Sequence, residues 1–129
     1  MIIPDLSPFP ALASLQRQLG DRIVVAVVEA FLEETPGRVA DLAVAMEARH
    51  WSQVTLYAHA LAGSAAELGL DALSAVARTL ERSAKTSPIA IAEHWAATRD
   101  LAVSGMAALH AAFPELPFDP LCTGGGAIN

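Results

Sequence analysis

Cysteine is almost absent: the single one, Cys122, lies near the C-terminal end. One thiol excludes an intramolecular disulfide and any cysteine-based zinc site, and it suits a reducing cytoplasm. Aromatic residues make up only 5% of the 129 residues. Basic residues are short too: 8 Lys and Arg face 14 Asp and Glu, for a formal net charge of −6. A nucleic-acid partner needs a basic patch to neutralise phosphates, so none is expected. The longest apolar run, Ile23–Leu32, is interrupted by Glu29 and falls well short of the ~20 residues that cross a bilayer. The opening MIIPDLSPFP has no charged leader and is cut by prolines, which argues against a signal peptide. No His-x-x-x-His spacing and no glycine-rich loop after a strand is present, so neither a metal site nor a nucleotide site is expected.

What remains is alanine-rich and apolar, 53% hydrophobic, with few β-branched runs outside residues 23–28. This composition points to one all-α domain. Pro10 and Gly20 bracket a short helix over 10–19. Asp21 is expected to cap a long helix over about 21–49. In that helix Val24, Val28, Phe31, Val39, Leu42 and Met46 recur at three- and four-residue steps. Pro36 interrupts it and predicts a break or a kink near Glu33. A kink is preferred, because the apolar face resumes in register at Leu32, Thr35, Val39, Leu42 and Met46. Further helices are expected over about 51–68, 71–85 and 88–112, with Gly69 and Pro88 at the junctions. The architecture predicted is an antiparallel four-helix bundle with an additional short N-terminal helix. Residues 1–9 form an extended lead-in, 10–113 the bundle, and 114–129 a flexible tail.

One histidine stands apart. At about 100° per residue, Val54, Ala58, Leu61, Ala65 and Leu68 fall within roughly 40° of a common direction. That direction is the core stripe of the third helix. His59 falls roughly 140° away, among Ser52, Leu56, Gly63 and Ala66. A solvated helix face normally carries charge, and this one carries none. Gly63 costs a helix interior ~1 kcal/mol relative to alanine and removes bulk one turn from His59. An uncharged, low-relief face with one titratable group suits a docking surface. On geometry alone it also suits close packing of another helix at Gly63, with His59 an ordinary surface histidine.

The segment His59-Ala60-Leu61-Ala62-Gly63-Ser64 is followed by Leu68-Gly69 and then Leu80-Glu81. It resembles the histidine phosphotransfer (HPt) family, whose pattern is roughly H-x-L-K-G-S, then L-G, then L-E. Phe31-Leu32-Glu33-Glu34-Thr35-Pro36, with Leu42, Met46 and Trp51, looks like the family's second helix and its junction. The resemblance spans about residues 10–110. It implies that His59 accepts a phosphoryl group from the aspartyl phosphate of a receiver domain, or returns it to one. The chain would be a phosphocarrier rather than a conventional enzyme, with no autokinase activity. Gly63 would be where the receiver approaches, with Leu56, Ala62, Ser64 and Ala66 around it. Mg²⁺ and its acidic ligands would come from the receiver, so no cofactor of the chain's own is expected.

Imidazole suits this role because it is nucleophilic near neutral pH. Its second ring nitrogen needs a partner to set the tautomer, for which Thr55, one turn earlier, and Glu81, on the next helix, are both candidates. One departure is evident: the family usually has lysine three residues after the histidine, and this chain has Ala62. Lys85, Arg78 or Arg82 on the neighbouring helix could substitute, or could simply be solvated. Partners are expected to be a response-regulator receiver domain or a hybrid sensor kinase, with the chain a cytoplasmic monomer. Ala62 keeps a second reading alive: a helical docking module that binds a receiver or kinase without carrying phosphate. The apolar outer face supports a third, a structural or oligomeric bundle.

Overall fold

Proline and glycine punctuate the chain where its helices start and stop. In the computed structural model, which describes residues 2–119, these are α1 (Pro10–Leu19), α2 (Asp21–Ala48), α3 (Trp51–Glu67), α4 (Asp71–Thr86) and α5 (Ile91–Ala112). Pro10 opens α1 at a first-turn position, where its missing N–H costs nothing. Pro88 opens a short 3₁₀ turn, Pro88–Ala90, that leads into α5. Gly20 takes φ +89°, a backbone conformation that disfavours side chains, and its N–H bonds to the Gln16 carbonyl. Gly20, not Asp21, is therefore the N-cap of α2. Asp21 lies inside the first turn, where its carboxylate favours the helix dipole and accepts a hydrogen bond from Gln16 Nε2 at 2.9 Å.

The helix α2 runs without interruption through Pro36, so of the two sequence expectations the break is excluded. Proline inside a helix costs about 3 kcal/mol. Tertiary packing offsets this: Phe31, Leu32, Thr35, Pro36, Val39 and Leu42 are all buried, on both sides of the proline. Burial of each large aliphatic side chain contributes about 1.5–3 kcal/mol. The core stripes elsewhere follow the helical period. They comprise Val54, Ala58, Leu61 and Ala65 of α3, Leu73, Ala77 and Leu80 of α4, and Ile91, Ala102, Met106 and Leu109 of α5.

Among the helices, α3 packs on α4, α4 on α5, and α2 on both α3 and α5, while α1 lies on α2. Leu6 of the lead-in is buried in the same core. Packing also continues past the expected end of the bundle at 113. Leu116 is 5% exposed, and the Phe118 ring lies 5.3 Å from that of His110. The segment through Phe118 is thus part of the packed domain, because its apolar residues still find the core. The rest of the expected flexible tail, 120–129 with Cys122, lies outside the described residues.

Candidate functional site

The α3–α4 pair builds the site, and its turn sets the register. Gly69 adopts φ +76°, its N–H bonds to the Ala66 carbonyl at 3.1 Å, and the Leu70 N–H reaches the Ala65 carbonyl at 2.9 Å. These bonds satisfy the last carbonyls of α3 and reverse the chain. A side chain at Gly69 would be excluded twice over: its Cβ would also come within 2.6 Å of the Ala11 Cβ. The two helices consequently run in opposite directions. His59 of α3 meets Glu81 of α4, and further along α3 the Ala62 carbonyl meets Ser74, earlier in α4.

His59 projects from the bundle with its side chain 72% exposed, whereas Glu81 is only 14% exposed. Nδ1 of His59 lies 3.2 Å from both Glu81 carboxylate oxygens. Lys85 Nζ donates to Oε2 of the same carboxylate at 3.3 Å. Burial pushes the Glu81 carboxyl up, but the bonds and charge of His59 and Lys85 outweigh it and hold the group below the usual carboxylate range. An ionised carboxylate only accepts hydrogen bonds. Nδ1 must therefore carry the proton, which leaves the lone pair of a neutral imidazole on Nε2.

Of the two candidates for this role, Glu81 makes the bond; among the described residues no bond joins Thr55 to His59. The docking residues divide. Leu56 is 64% exposed, and Gly63 and Ala66 are also exposed beside His59. Ser64 is half-buried, and its Oγ accepts a hydrogen bond from Arg38 Nη1 at 2.8 Å. Arg38 in turn pairs with Glu34 at 3.3 Å, so Ser64 ties α3 to α2 and is not a free contact point.

Ala62 corrects the sequence reading: it is 1% exposed and presents no surface to a partner. It falls roughly 80° from the core direction on the wheel, on the flank that α4 covers. There the buried Ser74 Oγ donates to the Ala62 carbonyl at 3.0 Å. Periodicity defines the stripe that faces the core but not how far a neighbouring helix extends that cover. The Arg38–Ser64 and Ser74–Ala62 bonds join residues 26 and 12 positions apart, and no local pattern announces either.

A family model for the Hpt domain matches residues 26–114. The chain belongs to the Hpt domain family. The match takes in α3, α4 and α5 whole and begins inside α2. It leaves α1 outside and starts later than the resemblance suggested. Neither a curated protein nor a solved structure matches the chain. An Hpt domain implies phosphotransfer in two-component signalling, and Hpt domains generally interact with receiver domains and kinases. No helix among the described residues of this Hpt domain is long and apolar enough to cross a membrane.

Proposed function

We propose that this Hpt domain is a phosphorelay intermediate whose phosphoryl acceptor is Nε2 of His59. One observation carries the reading. His59 is exposed one turn from Gly63, and its Nδ1 is held by a carboxylate, so that the nucleophilic lone pair points away from Glu81. In the forward step the Nε2 lone pair attacks the phosphorus of a receiver's aspartyl phosphate. The P–N bond forms as the P–O bond to the acyl oxygen breaks, and that electron pair returns to the receiver's carboxylate. The imidazole becomes a cation with its proton on Nδ1, against Glu81, whose negative charge stabilises it. The reverse step regenerates the aspartyl phosphate. Such transfer depends on positioning and electrostatics rather than on a covalent device of the carrier.

Mg²⁺ and its ligands belong to the receiver in this scheme, and the domain performs no autophosphorylation. Packing of α2, α3, α4 and α5 in a closed order supports their assignment as an antiparallel four-helix bundle, with α1 outside. The receiver, free or within a hybrid sensor kinase, docks over Leu56, Gly63 and Ala66. The setting proposed is a cytoplasmic monomer.

Mixing the domain with a phosphorylated receiver is expected to leave an acid-labile phosphoryl group on it, absent in His59→Gln. A domain that takes no phosphate from any phosphorylated receiver of the same cell would sink the proposal. Ala62, in place of the family's lysine, favours one rival: a docking module that binds without carrying phosphate. That reading predicts full function in the cell for His59→Ala.

A further inference from the structure

Three cations of α4 could serve a phosphoryl group on His59, and the structure separates them. Lys85, the only lysine of the chain, is engaged with Glu81 at 3.3 Å. Arg82 donates from Nη2 to Thr79 Oγ1 of its own helix at 3.1 Å. Arg78 also bonds within its own helix, but to a residue that is itself tied to α3. Its Nε donates to Ser74 Oγ at 3.3 Å, and that hydroxyl donates onward to the Ala62 carbonyl at 3.0 Å.

The antiparallel register explains this placement. Glu81 stands opposite His59, and Ser74 bonds the Ala62 carbonyl. Arg78 lies between them on the same stripe of α4, three residues before Glu81 and four after Ser74. Its base therefore stands against Ala62, one turn along α3 from His59. Arg78 is exposed, and among the described residues no carboxylate pairs with it.

We propose that Arg78 holds the oxygens of a phosphoryl group on His59, so that α4 supplies the cation that α3 lacks at Ala62. The proposal rests on the phosphocarrier reading. The bond to Ser74 uses only Nε, which leaves both Nη groups of a permanently charged, planar guanidinium to face phosphoryl oxygens as paired donors. Ser74 fixes the base of that fork through a hydrogen-bonded chain that ends on the α3 backbone. The methyl of Ala62 is buried, and Ser74 bonds the carbonyl of the same residue.

Phosphoramidate tests this without a receiver. His59 Nε2 attacks its phosphorus, the donor's P–N bond breaks, and nitrogen leaves with the electron pair and takes up a proton as ammonia. The initial rate of phosphohistidine formation is followed by ³¹P NMR at neutral pH, with His59→Gln as the blank. Arg78→Ala is expected to lower that rate roughly three- to ten-fold, the range for a partly solvated charge-assisted contact. Arg78→Lys should recover part of the loss. The exchange Arg78→Ala with Ala62→Lys should recover it from the other helix, with far-UV circular dichroism unchanged throughout. An unchanged rate in Arg78→Ala, with the parent protein labelled, overturns the proposal. So does a loss that neither Arg78→Lys nor the exchange restores, because that pattern belongs to packing rather than charge. A parent protein that takes no label at His59 fails differently: it removes the phosphocarrier reading itself.

Discussion

Replacing Gly63 with alanine should make the domain more stable and a poorer partner. Gly63 sits in the interior of α3, on the exposed face, and a Cβ built there meets no heavy atom within 4 Å. Glycine in a helix interior costs about 0.5–1 kcal/mol relative to alanine, mostly through the backbone freedom it loses on folding. With no clash to offset the gain, Gly63→Ala is expected to recover about 0.5–1 kcal/mol. For a domain of this size that corresponds to a rise of roughly 2–6 °C in Tm, read from a far-UV circular dichroism melt. Gly37→Ala in α2 is the matched control, since an added Cβ there also meets nothing within 4 Å. Both variants should gain stability alike. They should part in receiver binding, measured by titration calorimetry. A methyl at residue 63 stands one turn from His59 on the proposed docking face and should weaken binding a few-fold. Gly63→Gln should weaken it by about ten-fold or more, as overpacking of a close contact costs on the order of 1–3 kcal/mol. Gly37→Ala should leave binding unchanged. A fall in Tm for Gly63→Ala would refute the claim that the position is unobstructed. Undiminished binding in Gly63→Gln would refute the assignment of this face to the receiver.

Other substitutions test separate links. Gly69→Ala combines a left-handed backbone at φ +76° with a Cβ only 2.6 Å from that of Ala11. It should destabilise by about 2–4 kcal/mol, and a urea titration that shows no loss would contradict the tight turn against α1. Ser74→Ala removes the buried hydroxyl that bonds the Ala62 carbonyl and should cost about 0.5–1.5 kcal/mol on the same measurement. Glu81 links stability to pH. Its carboxyl lies below its ordinary range in the folded state, so the folded protein binds its proton more weakly than the unfolded chain does. The stabilisation is thus present above the ordinary carboxylate range and is lost as pH falls through the lowered folded value. The parent protein should exceed Glu81→Gln in denaturation midpoint at neutral pH, and the gap should close on acidification; a gap that widens in acid would reverse the assigned sign.

Much of this protein was legible before any coordinates. Helical periodicity located the core stripes because a buried face repeats every three to four residues whatever lies across from it. The same arithmetic turned His59 away from the core, and it stands exposed. Prolines and glycines marked the junctions because their restrictions are local to the backbone. Errors arose where a local rule met a tertiary one. Asp21 had the chemistry of a cap, but Gly20 took the position once α1 and α2 joined directly. Pro36 left a break and a kink both open to a local rule, and burial on both sides of it carries the helix through, in line with the preferred continuation of the apolar face. Pro114 and Pro117 close the last helix and predict a flexible tail from 114, yet Leu116 is buried against the core.

By itself, then, the sequence determined an all-helical chain, the main core stripes of its helices, and a histidine turned away from the core one turn from a glycine. Tertiary structure decided the surroundings of that histidine. It selected Glu81 over Thr55 for Nδ1, buried Ala62, engaged Ser64 with Arg38, and joined Arg78 through Ser74 to the Ala62 carbonyl. The reason is geometric. A residue's own helix fixes the direction in which it points, whereas the residue it meets depends on the register between two helices. Here that register follows from the turn at Gly69 and the packing it permits against α1.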